Sequence, residues 1–195
     1  MGPFKAVIFD IGDVLLTWTA NTTTKIPGST LKAMTQTNPW LDFERGTITP
    51  DECYRRLGEQ FSVEPLVIAD AFTQASQSLA FNITMTAFLR DLRTRGVRVY
   101  AMSNIPRIHF DYLRTLDYSW DLFDRIFASG YEGHRKPDVS FYQHVLTAIG
   151  VSADEVIFVD DKMVNVQAAC DLGIYGVQFD SADRVCQKLR RLVSQ

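Results

Sequence analysis

The stretch Ala6-Val7-Ile8-Phe9-Asp10-Ile11-Gly12-Asp13-Val14-Leu15 decides how the rest of the chain reads. An unbroken apolar run, with β-branched residues at its centre, leads straight into an aspartate. A run that is apolar on both faces of the pleat suits a strand buried in a parallel sheet with helices above and below. An aspartate directly after such a strand is costly to keep dry and alone. It needs a cation, hydrogen-bond donors or water. Taken by itself, Asp10 reads equally well as a cap of the following turn.

Four further runs of the same kind follow, at residues 97–102, 125–128, 156–159 and 175–179. Between them lie amphipathic stretches. Residues 84–95 carry Met85, Phe88, Leu89 and Leu92 at helical spacing before Gly96, and 140–149 carry Phe141, Val145, Leu146 and Ile149 before Gly150. Residues 165–172 carry Val166, Ala169 and Leu172 before Gly173, and 181–193 carry Val185, Leu189 and Leu192. Glycine after the last periodic residue is a helix stop. Strand and helix in alternation predict an α/β fold, a doubly wound parallel sheet.

One segment breaks the alternation. Residues 29–35, 50–61 and 66–80 read as helices, separated by turn signals at Pro27-Gly28, Asn38-Pro39 and Arg45-Gly46. Thr49-Pro50-Asp51-Glu52 combines a capping hydroxyl, a first-turn proline and two acids near the positive helix end. The expectation is a core made of residues 1–15 and 83–195, with residues 16–82 forming a small helical cap over the carboxyl edge of the sheet.

Composition narrows the function classes. Of the 195 residues, 46% are apolar and 22% charged, with a net charge of −3, which suits an ordinary soluble domain and gives no basic surface for nucleic acid. The short run Lys188-Leu189-Arg190-Arg191 fits the polar face of the last helix. No apolar run approaches the ~20 residues that span a bilayer, and no secretory leader pattern opens the chain. The three cysteines, Cys53, Cys170 and Cys186, are widely spaced and read as reduced thiols. These features predict a cytoplasmic protein without a membrane partner. They leave the oligomeric state open.

Ligands of open α/β sheets bind beyond the carboxyl ends of the strands. The first strand ends in Asp10, and the second in Ser103-Asn104, a hydroxyl and an amide able to hold phosphate oxygens. Beyond the third lies Gly133-His134-Arg135-Lys136-Pro137, where Lys136 can neutralise a phosphate or serve merely as a solvated loop cation. The fourth ends in Asp160-Asp161, with Asn165 shortly after. Adjacent carboxylates beside Asp10 would repel strongly without a cation, and an all-oxygen donor set suits Mg²⁺. His109 and His144 fall in helical patterns and read as structural, whereas His134 lies close enough to Lys136 to meet a substrate.

The order Asp, Ser, Lys, Asp-Asp, each at a strand end, resembles the haloacid dehalogenase superfamily over nearly the whole chain. The matching stretches are Phe9-Asp10-Ile11-Gly12-Asp13-Val14-Leu15, Met102-Ser103-Asn104, Arg135-Lys136-Pro137-Asp138, Phe158-Val159-Asp160-Asp161-Lys162-Met163-Val164-Asn165 and Ala168-Ala169-Cys170-Asp171-Leu172-Gly173-Ile174. Phe43-Glu44-Arg45-Gly46-Thr47-Ile48 resembles the small cap of sugar-phosphate phosphatases and of the N-terminal phosphatase domain of soluble epoxide hydrolases.

The resemblance implies an Mg²⁺-dependent phosphatase acting on a small organic phosphate. Asp10 would be the nucleophile, forming an aspartyl-phosphate. Ser103, Asn104 and Lys136 would bind the phosphoryl group, and Lys136 would also hold Asp10. Asp10, the Gly12 carbonyl and Asp161 would ligate the metal, with Asp160 and Asn165 in support. One position departs from the pattern. Most such phosphatases carry an acid/base aspartate two residues after the nucleophile, where this chain has Gly12; some sugar-phosphate phosphatases share the glycine. Asp13 would substitute if its loop turned inward.

Two alternatives follow. One is a phosphate-binding module with weak or no catalysis. The other is a phosphatase for prenyl phosphates or diphosphates, linked to a terpene cyclase, with Trp18, Trp40, Phe61, Phe72 and Phe81 offering apolar contacts. A metal-free 2-haloacid dehalogenase fits less well, because those enzymes carry small uncharged residues where this chain has Asp161.

Overall fold

A computed structural model of the chain describes residues 4–193. The first strand, β1 (Ala6–Phe9), is followed by β2 (Leu16–Thr17) and by helices α1 (Gly28–Met34), α2 (Asn38–Glu44), α3 (Pro50–Phe61) and α4 (Pro65–Gln77). The chain then forms β3 (Ala80–Phe81), α5 (Ile83–Thr94), β4 (Arg98–Ser103), α6 (Arg107–Thr115) and β5 (Arg125–Ala128). Next come α7 (Ser129–Glu132), α8 (Val139–Ile149), β6 (Val156–Asp160), α9 (Met163–Asp171), β7 (Tyr175–Gln178) and α10 (Ala182–Val193). The five-stranded sheet runs in the order β5-β4-β1-β6-β7, and every neighbouring pair is parallel. This is the α/β parallel sheet expected from the apolar runs.

The alternation of β1 sets its register. Val7 and Phe9 point into a core with Phe88 and Leu92 of α5 and Val185 and Leu189 of α10. Ala6 and Ile8 point the other way, into a core with Phe141 and Val145 of α8 and Ala169 of α9. Each such apolar side chain contributes about 1.5–3 kcal/mol on burial, so a one-residue slip, which exchanges the two faces, is strongly disfavoured. Phe9 stands opposite Ala101 and Val159, and the Asp10 N–H donates to the Val159 carbonyl at 2.8 Å. Asp10 is thereby fixed at the crevice where the chain leaves β1 for opposite halves of the sheet.

Helices α1–α4 enclose a separate cluster that includes Leu31, Met34, Trp40, Phe43, Leu57, Ile68 and Phe72. β2 and β3 pair antiparallel at the base of this excursion, with Leu16 opposite Phe81. The start of α3 follows its sequence signals, since the Thr49 side chain accepts from the Glu52 N–H at 3.2 Å and Pro50 is the first helical residue.

Other local readings need correction. Asn38-Pro39 opens α2 rather than making a turn, because a proline in the first helical turn removes only an N–H that has no intrahelical acceptor. The helix expected over 66–80 stops at Gln77, and Ala80 and Phe81 join the small sheet. Phe81 stacks on Tyr118 at 4.0 Å and belongs to the core beneath the main sheet, so it is no part of the cap's apolar wall. No helix among the described residues is long and apolar enough to cross a membrane.

Candidate active site

The ends of β1, β4 and β6 and the loop before α8 meet at one cleft of about 210 Å³. Its lining includes Asp10, Gly12, Asp13, Ser103, Asn104, Lys136, Asp161 and Asn165. Every site residue predicted from the strand ends except Asp160 lines this cleft, and Asp160 lies directly beneath it.

Lys136 is the electrostatic centre. It is 1% exposed, and its Nζ donates to Asp10 Oδ1 at 2.8 Å and to Asp160 Oδ2 at 2.7 Å. Burial works against the ammonium, but Asp10 and Asp160 outweigh it and raise its pKa, so it stays charged. Asp10 Oδ1 also accepts the Ile11 N–H at 2.7 Å, and its other oxygen takes no donor from the protein among the described residues. Burial raises the Asp10 pKa, with Lys136 pulling it down and Asp160 and Asp161 adding to the rise. Burial and Asp160 likewise raise that of Asp161. Without added positive charge the cluster resists full ionisation.

Asp10, Asp160 and Asp161 can bring one carboxylate oxygen each to within 4.8 Å of one another. Asp160, however, is already saturated. Its Oδ2 binds Lys136, its Oδ1 accepts the Lys162 N–H at 2.8 Å, and Asn165 Nδ2 donates to both oxygens at 2.9 and 3.1 Å. The donors left for a cation are Asp10 and Asp161, with the Gly12 backbone beside them. This hard, all-oxygen set fits Mg²⁺. Asn165 supports the site by bracing Asp160 through its amide nitrogen.

Ser103 is 5% exposed, and its hydroxyl has no protein partner among the described residues, which leaves it free for an anion. Asn104 is clamped. Its Oδ1 accepts the Lys136 N–H at 2.8 Å and its Nδ2 donates to the Lys136 carbonyl at 2.9 Å. Only one of its amide hydrogens remains for a phosphate, so Asn104 chiefly braces the Lys136 loop. Sequence reasoning missed Ser129, which is fully buried and whose Oγ accepts the Ile105 N–H at 2.9 Å, fixing the Ser103-Asn104 turn.

Gly12 has open space where a side chain would begin. Asp13 takes a left-handed backbone, φ 56°, which aspartate tolerates better than most residues. It lines the cleft as an exposed carboxylate.

The roof of the cleft is apolar and comes from the cap. Trp18, Trp40, Phe72, Ala75 and Leu79 line it, together with Ile105 and Pro106 from the core. Trp40 and Phe72 stack at 4.2 Å. Phe61 packs against the cap's own cluster instead.

The histidines lie apart from the phosphate seat. His109 of α6 reaches up into this roof, where its Nδ1 meets Ser76 Oγ at 3.2 Å and its Nε2 meets the Tyr54 hydroxyl at 3.4 Å. Because Ser76 Oγ donates to the Phe72 carbonyl, it accepts from Nδ1, which makes Tyr54 the donor to Nε2. Burial lowers the His109 pKa to about 4, so the ring is neutral near pH 7. His134 bonds Ser140 at 3.0 Å and stacks on Phe141, away from the cleft.

The chain matches the haloacid dehalogenase-like hydrolase family over residues 4–173. It is 47% identical over 190 residues to the sesquiterpene phosphatase astK of Aspergillus oryzae, with 97% of each chain covered. It is 39% identical to the drimenol cyclase drtB of Aspergillus calidoustus over 96% of its own length, and spans 36% of that protein. Among solved structures, a magnesium complex of the family enzyme bt-2542 of Bacteroides thetaiotaomicron superposes with a TM-score of 0.75 at 20% identity, covering 96% of this chain and 99% of that one. The L-2-haloacid dehalogenase of Xanthobacter autotrophicus superposes at 0.68 and 19% identity, covering 96% and 83%. At such identities the superpositions speak for the fold.

Proposed function

The chain belongs to the haloacid dehalogenase-like hydrolases and is a phosphatase of that family, and from that premise we propose that it hydrolyses the phosphate ester of an apolar, terpenoid alcohol. The observation that carries the proposal is the division of the cleft. Its floor is a polar phosphate seat of Lys136, the Ser103 hydroxyl and carboxylates suited to a cation, while its roof is an aromatic wall containing Trp18, Trp40 and Phe72. The cleft is larger than a phosphoryl group and leaves room for an apolar leaving group along the roof. The chain's similarity to the sesquiterpene phosphatase astK and to the drimenol cyclase drtB supports a terpenoid substrate.

In the proposed reaction, Lys136 and the Ile11 N–H hold one Asp10 oxygen and aim the other at phosphorus. Attack by that oxygen forms an Asp10–phosphorus bond and breaks the ester bond to the terpenoid oxygen, which takes up a proton to leave as the alcohol. Water then cleaves the acyl phosphate, releasing inorganic phosphate and restoring Asp10. Ser103 Oγ and the remaining Asn104 N–H bind phosphoryl oxygens through these steps. Asp10, Asp161 and the Gly12 carbonyl would hold Mg²⁺, which when bound shields the anionic nucleophile from the anionic substrate and polarises the phosphoryl group. Asp161 also stands against the dehalogenase reading, because a second carboxylate repels a haloacid anion.

The test is a comparison of farnesyl phosphate, farnesyl diphosphate and phenyl phosphate as substrates, with Mg²⁺ and with EDTA. The expected result is faster hydrolysis of a farnesyl ester, lost in EDTA and reduced at least about 10³-fold by Asp10→Asn. Binding of every ester without release of phosphate would instead favour the weakly catalytic module that Gly12 brings into view.

A further inference from the structure

Glu44 is a carboxylate to which the reaction above gives no part. It lies near the end of α2, lines the cleft and is 8% exposed. Burial raises its pKa, against the pull of Arg135 and of the Trp40 indole. A buried carboxylate next to an anion seat repels the substrate and is costly to keep, unless its partners are well placed.

Its partners are well placed and lie in different parts of the molecule. Glu44 Oε1 accepts from Trp40 Nε1 at 3.0 Å, and Trp40 is a principal wall of the apolar roof. Glu44 Oε2 accepts from Arg135 Nε at 3.0 Å, and Arg135 is covalently joined to Lys136. The next residue repeats the grip with opposite sign, as Arg45 donates to Asp138 Oδ2 at 2.9 Å. Glu44 and Arg45 therefore hold the loop on either side of Lys136-Pro137. The residue after them, Gly46, has a left-handed φ of 69°, and any Cβ there would run into the Gly130 carbonyl, so the end of α2 sits directly on core backbone. Successive cap residues thus seat on the segment that carries the lysine of the phosphate seat.

We infer that Glu44 is a positioning residue that transmits occupation of the apolar roof to Lys136. A tail packed on Trp40 fixes the indole, the indole fixes Glu44, and Glu44 holds Arg135 and the adjoining Lys136 against Asp10. Binding energy from the tail then raises the rate of the chemical step as well as affinity, as expected when remote contacts orient the reacting groups. The inference rests on the apolar-substrate reading above.

The experiment measures kcat and KM of the full chain with Mg²⁺ on farnesyl phosphate and phenyl phosphate, for the wild type, Glu44→Gln and Trp40→Phe. The wild type is expected to show a kcat about tenfold or more higher on farnesyl phosphate. Both variants bring the two kcat values to within about twofold of each other, while KM stays lower for farnesyl phosphate because most of the ring wall remains. Glu44→Gln leaves Arg135 without its counter-charge and endangers folding. Trp40→Phe keeps the ion pair, removes the N–H link together with part of the ring wall, and carries the test alone if the first variant is insoluble. A kcat ratio preserved in the variants, including an equal fall on both esters, overturns the inference and leaves the substrate reading intact. A wild type without any preference for the farnesyl ester overturns the substrate reading, and the inference with it.

Discussion

The floor and the roof of the cleft are built on different principles. The floor consists of residues at or near strand ends, Asp10, Ser103, Asp160 and Asp161, with Lys136 drawn among them, and each is fixed by the register of a buried parallel sheet. The roof consists of side chains from α2 and α4 and from α6, held by aromatic stacking and by hydrogen bonds that cross from cap to core. On the proposed reading, the floor supplies the phosphate chemistry and the roof selects the substrate. The floor should be the more sensitive region, because the charges of Asp10, Lys136 and Asp160 are buried and mutually dependent. The roof is apolar and packed, so changes there should be graded.

Lys136→Met should break the floor most severely. It leaves Asp10 and Asp160 buried without a counter-ion, which costs about 3–5 kcal/mol of stability. A lowered urea midpoint together with lost phosphatase activity would show it, and a stable, active variant would refute the electrostatic account.

Phe72→Ala tests the roof. Phe72 is 4% exposed and stacked on Trp40, so truncation should cost on the order of 3 kcal/mol. It should raise KM for farnesyl phosphate about tenfold more than for phenyl phosphate. An equal rise for both esters would mean that the tail lies elsewhere.

Gly12→Asp probes the boundary between the two regions. A Cβ at Gly12 meets no neighbouring atom, so the acid/base aspartate of the common pattern can be installed without a clash. If leaving-group protonation limits the rate, kcat should rise by about 10- to 100-fold in initial-rate assays. No change would show that Asp13 or water already does the work.

The smallest effect concerns His109. Its pKa is lowered to about 4, against an ordinary value of 6.5, so the unfolded chain takes up a proton first as the pH drops. Above about 6.5 the group contributes nothing to the pH dependence of stability. Between 6.5 and 4 it should remove on the order of 2 kcal/mol, somewhat less than the full shift implies because the ring borders the cleft. Chemical denaturation at pH 7 and pH 5 of the wild type and His109→Asn checks this. The variant should lose less stability on acidification.

The same division explains what could be read from sequence. A buried parallel strand displays its end as an apolar run that stops at a polar residue, so the strand-end positions were legible, whereas Lys136 was singled out by the family resemblance. What the strand ends did not show was how their polar groups are shared. Asn104 clamps the Lys136 backbone and Asn165 serves Asp160, arrangements that depend on loops meeting across the sheet edge. The roof was less legible still. Only Leu113 is buried in α6, and nothing in the sequence points His109 into the cap. Glu44 stands just before the Arg45-Gly46 turn signal, and nothing local marks it as buried. Its burial depends on Arg135, 91 positions away.

The central claim is that Asp10 becomes phosphorylated during turnover, and trapping that species tests it most directly. The protein is mixed with Mg²⁺ and a farnesyl phosphate carrying radiolabelled phosphorus, quenched in acid within one turnover and digested. The account predicts label on the peptide containing Asp10, released by hydroxylamine as an acyl phosphate should be, and absent from Asp10→Asn. Labelled inorganic phosphate released at the wild-type rate by Asp10→Asn would contradict it.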